Sequence, residues 1–598
     1  MSDHARSEMM SPTVSMSTFV SENPGRDVQR VGTARVLEQD PAKIYGPVWG
    51  VLGNLGDSQC YLGVARKVQA IHSALADRIT RDELPMRLIA PAYSVGVSDG
   101  QLNGTDRMRY SLISREVVHD NVSLHLAAND VKGFIGVVAC DKPPVGTLAA
   151  VLEHNQPAVL LSDGSITPGV DPQTGEVIDL VAAFQVAGDP DPDRRTRYAL
   201  YGCPGFGSCG AMYTYNTMQS FIAVLGMEPL HMVAPPSDDP RRTEDFPRQL
   251  VDCLVTMTDK HIRPRDIVTP AALRNALTVA IALGGSTNVV LHSVEIARAA
   301  GIELWQDVLS QKEFNELSHN LPVLVDVKPF GRYYMVDIDG KGGLQAIVQE
   351  MLNQGLLDGD CLTCTGETLA EQVRRLDPRP PDGEVIHRVA APYKQTGGLR
   401  LLTGNLAPHG GAVLKIAGVE SGLDEGVFTG RARVFNSEAD LLNALERTPE
   451  TFRDRDIAIV RYEGPRGAPG MPEMLDPTSR ITTLSRQQQI TIALMTDGRF
   501  SGGSIGLVIG HVAPEAIVGG PIALIEDGDT IAVNLNTDRL DCLELDDPAE
   551  FERRASLWRD ETAANGGVHP HAKPVSNRLL ARMRHTARTA LQGAGMES

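Results

Sequence analysis

The sequence predicts an α/β protein with a layered N-terminal α/β domain followed by a C-terminal β-barrel-like domain. Three observations carry this. Over the first two thirds, helical spacing of apolar residues alternates with short buried runs. The segment Pro378-Arg-Pro-Pro-Asp-Gly383 then breaks the pattern, because adjacent prolines exclude helix and central strand alike. Beyond it, short β-rich runs are separated by glycine-rich turns. The expected division is a flexible N-terminal extension over 1–44, an α/β domain over 45–385 and a β-rich domain over 386–598.

In chain order, Val64, Val68, Ile71, Leu75 and Ile79 recur at helical spacing, which places Cys60 just before the first turn of an amphipathic helix. Helix N-termini stabilise thiolates. Gly133 to Ala139 reads as a buried strand running into Cys140-Asp141-Lys142, with a helix from about Thr147. Ala158 to Leu161 reads as another strand. Glycines 202, 205, 207 and 210 surround Cys209, and Met212 to Leu225 reads as a helix, so the third cysteine also stands at a helix entrance. Helical patterns follow at 271–283, 289–300, 343–355 and 367–375. In the second domain, Gly411 to Ala417, Ala458 to Tyr462, Thr491 to Met495 and Pro521 to Ile525 read as strands.

Composition narrows the function. A chain of 598 residues exceeds what one core supports. A net charge of −19 disfavours non-specific binding to nucleic acid or anionic membranes, so an anionic substrate must be drawn in locally by metal ions or helix ends. No stretch approaches the roughly 20 apolar residues of a membrane span, and residues 1–36 have neither the apolar core of a secretory signal nor the acid-poor character of a transit peptide. Eight cysteines are too sparse for a disulfide scaffold, which predicts a reducing, cytoplasmic setting and favours metal or catalytic use of cysteines in loops.

Cys60, Cys140 and Cys209 each lie in a turn and not in an apolar run. Three thiolates with carboxylates and a lysine beside one of them suit an iron site next to a second metal. Cys140-Asp141 sets a soft ligand beside a hard one. Asp99, after a candidate strand, and Glu473, presented by Gly464-Pro-Arg-Gly-Ala-Pro-Gly-Met-Pro-Glu473, are candidate oxygen ligands. Ser501 lies in Thr496-Asp-Gly-Arg-Phe-Ser-Gly-Gly503, where a divalent neighbour would let it act as a base. Gly284-Gly-Ser-Thr-Asn288 reads either as a helix C-cap or as a carboxylate-binding turn. Cys203 competes with Cys209, Cys361-Leu-Thr-Cys364 reads as structural, and His569-Pro-His571 as a solvated arm. Taken singly, each of the candidate ligands also reads as ordinary turn chemistry.

Together, Val97-Ser-Asp-Gly100, Met108-Arg-Tyr-Ser-Leu112, Cys140-Asp-Lys142, Gly207-Ser-Cys-Gly-Ala-Met-Tyr-Thr214, Leu283-Gly-Gly-Ser-Thr-Asn288, Gly404-Asn-Leu-Ala-Pro408, Gly470-Met-Pro-Glu473 and Thr496-Asp-Gly-Arg-Phe-Ser-Gly502 resemble the dihydroxy-acid and 6-phosphogluconate dehydratase family, from about residue 45 to 575. The resemblance implies the two-domain fold above and a homodimer or homotetramer. It implies a [2Fe-2S] cluster on Cys60, Cys140 and Cys209, Mg2+ on Asp99, Asp141, Glu473 and Lys142 as its carbamate, and Ser501 as base. It also implies a hydro-lyase that dehydrates a 2,3-dihydroxy acid to the 2-keto acid.

The stretch before Cys60 lacks the family's usual Pro-Cys-Asn, Arg107 stands for a usual glycine, and Pro143-Pro144 follows Cys140-Asp-Lys where one proline comes later. Gly207-Ser-Cys resembles the branched-chain members, favouring 2,3-dihydroxy-3-methylbutanoate. A sugar-acid substrate is the alternative within the family. A non-catalytic iron–sulfur or zinc sensor is the alternative outside it, and it gives Ser501, Glu473 and Lys142 no role.

Overall fold

The computed structural model describes residues 20–82, 84–187, 189–415, 423–504 and 506–597. Its first sheet has five strands: β1 (Val48–Leu55), β2 (Arg87–Leu88), β3 (Ala92–Val95), β4 (Val131–Val138) and β5 (Ala158–Ser162). The order is β2-β1-β4-β5, with β3 also on β1, and every pairing is parallel. Parallel strands need crossovers, which the helices Val64–Arg81, Arg109–Ala128 and Pro143–His154 supply. These helices bury Val68, Ile71, Leu75, Val118, Val122 and Leu148 against strands that are themselves mostly apolar. A short hairpin, β6 (Gly169–Val170) with β7 (Val177–Ile178), projects from this layer.

The second sheet contains β8 (Leu399–Leu402), β9 (Ala412–Lys415), β10 (Val427–Phe435), β11 (Asp456–Val460), β12 (Ile492–Thr496), β13 (Val508–Gly510), β14 (Thr530–Asn534) and β15 (Arg539–Cys542). Its order is β15-β14-β10-β11-β12-β13-β9-β8. The two edges meet: Leu540 N–H donates to the Thr403 carbonyl at 2.6 Å and Thr403 N–H to the Asp538 carbonyl at 2.8 Å, which nearly closes a barrel. Closure removes the exposed edges that an open sheet would present. Inside lie Leu414, Phe428, Ile457, Ile459, Met495 and Ile531.

Several elements depart from expectation. The helix after Lys142 begins at Pro143, not near Thr147, because proline at the first helical position lacks only an N–H that would be unpaired anyway. Pro521–Leu524 is a 3-10 turn and not a strand. Within the expected extension over 1–44, Pro24–Val36 form a helix capped by the Asn23 side chain, while residues 1–19 lie outside the described residues. Residues 416 and 417 of the strand expected to end at Ala417 also lie outside them. Among the described residues no helix is long and apolar enough to cross a membrane.

Arg242 secures the end of β5 from within. Fully buried, it donates from Nη1 to the Ser162 carbonyl at 2.7 Å, from Nε to that of Pro236 at 2.8 Å, and from Nη2 to that of Met232 at 3.0 Å. Arg242→Met takes this donor from the carbonyls of Ser162, Met232, Val233, Pro235 and Pro236 and is expected to cost about 3 kcal/mol, read as a lower urea midpoint at unchanged slope. An unaltered midpoint would show that the bonds add nothing.

Candidate active site

Parallel strands end together, and loops at their C-terminal ends carry the site. Cys60 follows β1, Asp99 follows β3 and Cys140-Asp141-Lys142 follows β4. In the second sheet β10, β11, β12 and β13 are also mutually parallel, and Glu473 and Ser501 follow β11 and β12.

The two sets meet at the Lys142 Nζ. It donates to Asp99 Oδ2 at 2.6 Å, to Glu473 Oε1 at 3.0 Å and to Asp141 Oδ2. All four side chains are buried or nearly so. Burial, and then the charge of Asp99, pushes Asp141 up to about 8. Burial also works against ionisation of Asp99, yet Lys142 and Arg499 outweigh it and lower its pKa. Desolvation and Arg499 disfavour the charge on Lys142, but the three carboxylates prevail and raise it. A centre with this much buried negative charge is built around a cation. Asp99 Oδ1 is buried without a partner, which leaves a donor atom free.

Glu473 is held by two residues that the sequence reading did not assign to it. Asn288 Nδ2 donates to Glu473 Oε1 at 2.8 Å and Arg499 Nη1 donates to the same oxygen at 2.6 Å. Asn288 Nδ2 also reaches the Phe500 carbonyl at 3.3 Å, linking Glu473 to the turn that carries Ser501. Both lie in motifs already noted, but their shared target is distant in sequence. Gly470 lets the Glu473 loop approach: its φ is +105°, and a Cβ there would lie 1.8 Å from the Arg109 carbonyl oxygen.

On the sulfur side, Cys140 has a left-handed backbone (φ +61°) and gives its N–H to Ser208 Oγ at 2.8 Å, one residue before Cys209. Cys60 N–H donates to Ser58 Oγ at 3.1 Å, and the hydroxyl of Tyr61 donates to the Val97 carbonyl at 2.8 Å, tying this turn to the Asp99 loop. The hydrogen bond from the Cys140 thiol lowers Cys60 to about 7, against the effect of burial; the same contact, with burial, raises Cys140. Cys209 is raised by burial and then by the charges of Cys60, Asp141, Asp99 and Glu473. Cys203 is pushed to about 12 by burial and then by the charges of Asp179 and Cys60.

Ser501 is half-buried, and its Oγ accepts the Gly503 N–H at 3.3 Å. His511 is fully buried nearby, and burial with Arg499 drops it to about 3, too weak a base to compete at neutral pH. Elsewhere, His569 is buried, stacked between Tyr462 and Trp558 at 4.7 and 5.6 Å, and is not a solvated arm. Cys361 and Cys364 are buried, with Cys361 Sγ accepting from Asn275 Nδ2 at 3.4 Å. In the cluster Asp529, Cys542 and Glu544, Arg554 pairs with Asp529 and fills the charge requirement.

Comparison with known proteins gives this centre a family. Residues 67–372 match the description "Dihydroxy-acid/6-phosphogluconate dehydratase N-terminal", and residues 384–594 match its C-terminal counterpart. The chain belongs to the dihydroxy-acid/6-phosphogluconate dehydratase family. It is 42% identical over 474 residues to dihydroxy-acid dehydratase 1 of Nocardia farcinica, covering 78% of this chain and 80% of that one. It is 41% identical to dihydroxy-acid dehydratase of Chromohalobacter salexigens, covering 81% and 82%. It is 40% identical to the chloroplastic dihydroxy-acid dehydratase of Arabidopsis thaliana, covering 78% and 74%. Membership in this family makes the chain a dehydratase, a lyase.

Groups that orient a metal ligand typically contribute 10–100-fold to affinity. Asn288→Leu is expected to weaken divalent-cation binding by about 10–100-fold, measured by titrating Mg2+ into metal-stripped protein. Unchanged affinity would separate Asn288 from the ligand set.

Proposed function

We propose that this protein dehydrates a 2,3-dihydroxy carboxylic acid to its 2-keto acid, with 2,3-dihydroxy-3-methylbutanoate, an intermediate of branched-chain amino-acid biosynthesis, as substrate. The observation carrying this reading is the meeting of Asp99, Asp141 and Glu473 on one positive atom beside the paired thiols Cys60 and Cys140. An oxidant sensor needs the thiols alone. It gives no reason to bury three carboxylates from two domains, or to hold a serine on the adjoining turn.

The donors fit a [2Fe-2S] cluster on Cys60, Cys140 and Cys209 and Mg2+ on Asp99, Asp141, Glu473 and a carbamylated Lys142. Three thiolates suit a cluster with one open iron, and the grouping of Asp99 with Asp141, with an oxygen of Asp99 to spare, suits a hard cation. The lysine ammonium occupies the position a cation would take. A carbamate turns Lys142 from competitor to ligand. When bound, these groups supply Lewis acidity that acidifies C2–H and eases departure of the 3-hydroxyl.

The chain's own part is to orient and to move one proton. Ser501, as its alkoxide, takes the proton from C2 and passes it to the departing 3-hydroxyl, which leaves as water, and the enol tautomerises to the 2-keto acid. Val181, Ala211, Tyr213 and Tyr334 form an apolar cluster against which Cys209 packs. Val181 also packs at Gly503, where a Cβ would come within 2.7 Å of it. Such a wall supports a branched hydrocarbon tail over a polyol, which needs hydrogen-bonding partners. A cytoplasmic homodimer or homotetramer completes the proposal.

Ser501→Ala should retain the visible absorption of the anaerobically purified enzyme yet lose turnover; continued dehydration would refute the base. Cys209→Ser is expected to abolish that absorption while Cys203→Ser preserves it, and the reverse would exchange their roles. Assayed side by side, 2,3-dihydroxy-3-methylbutanoate should be turned over faster than gluconate, arabinonate or 6-phosphogluconate, and preference for any of the polyol acids would reassign the substrate.

A further inference from the structure

Lys415 ends β9 and is buried, with 1% of its surface exposed. Its Nζ donates to the Gly502 carbonyl at 2.9 Å and lies 4.4 Å from the centroid of the Phe330 ring. Among the described residues no carboxylate stands within ion-pair distance of it. A buried amine without a counter-charge is costly where a methionine would fill the space. Packing alone therefore does not explain this residue.

The turn that Lys415 holds is the one carrying Ser501. Antiparallel pairing sets Leu414 opposite Ile509 and Val413 opposite Gly510, which delivers Lys415 beside the segment between β12 and β13. On the other side Gly502 abuts the backbone of Tyr213, and a Cβ there would come within 2.6 Å of the Tyr213 Cα. The turn is gripped between an N–H donor from the barrel and main chain from the first domain. Among the described residues, Ser501 Oγ has only the Gly503 N–H to orient it, at 3.3 Å. Its placement thus rests on the backbone of Gly502.

We propose that Lys415 is a positioning residue for Ser501, fixing through the Gly502 carbonyl the turn that aims Ser501 Oγ at the proton it removes. The inference rests on the reading of Ser501 as the base. Burial draws Lys415 down to about 7, but ammonium and amine both have N–H to donate, so the grip persists across neutral pH.

The test compares Lys415→Met and Lys415→Arg in anaerobic holoenzyme, with Ser501→Ala alongside. Misplacing a reacting group by about 1 Å costs about 100-fold, so Lys415→Met should lower kcat by about that factor while KM stays within about threefold. Cluster absorption and unfolding temperature should stay at wild-type values, and Lys415→Arg should restore most of the rate. If the methionine variant does not accumulate, Lys415→Gln, too short to reach Gly502, carries the same expectation. An unchanged kcat, a rise in KM alone, or a rate loss matched by loss of cluster would overturn the proposal. An inactive Ser501→Ala beside a fully active Lys415→Met defeats this inference alone. An active Ser501→Ala defeats the underlying reading and this inference with it.

Discussion

Carboxylates from both halves of this protein meet on one atom. Lys142 Nζ, delivered by the end of β4, meets Glu473 from beyond β11, 331 residues later. Neither domain can complete the centre alone. Asp99 and Asp141 without Glu473 leave an open acidic edge, and Glu473 without the first domain keeps Arg499 but loses both Lys142 and Asn288. The relative placement of the sheets is therefore set where their parallel strand ends face each other, and the charge balance there depends on a positive centre. The high pKa of Asp141, about 8, marks how close the group is to excess negative charge. A divalent ion relieves that crowding more fully than an ammonium does.

Close backbone approach is the second constraint. Cys140 adopts a left-handed conformation that ordinary residues avoid, and such strain persists only where the surroundings fix it. The bond from its N–H to Ser208 Oγ does so, and it sets the Cys140 and Cys209 turns side by side. Gly470 and Gly502 act alike on the other half of the site, one against Arg109 and the other against Tyr213. The centre is thus assembled by main chain meeting main chain, which leaves little slack for side chains to compensate.

Much of this was legible in the sequence because it is local. Helices after Cys60 and Cys209, the strand before Cys140 and the helices near 271–283 and 289–300 follow from spacing alone, and the structure has them. The apolar run at Pro521 failed as a strand because four residues fit a 3-10 turn as well, and the helix after Lys142, expected from about Thr147, starts earlier because proline is tolerated in the first helical turn. Asn288 and Arg499 stood in recognised motifs, but their common target, Glu473, is set by tertiary contact. Lys415 drew no assignment, because within the expected strand Gly411 to Ala417 its spacing does not show what its ammonium meets.

The order of synthesis follows from the same geometry. At about 5–20 residues per second, the 331 residues between Lys142 and Glu473 take a ribosome roughly 17 to 66 s to add. From Cys209 onward the nascent chain carries Cys60, Cys140, Cys209, Asp99 and Asp141 before Glu473 has been added. For that time Asp99, Asp141 and Lys142 stand without the carboxylate of Glu473 that completes their charge balance.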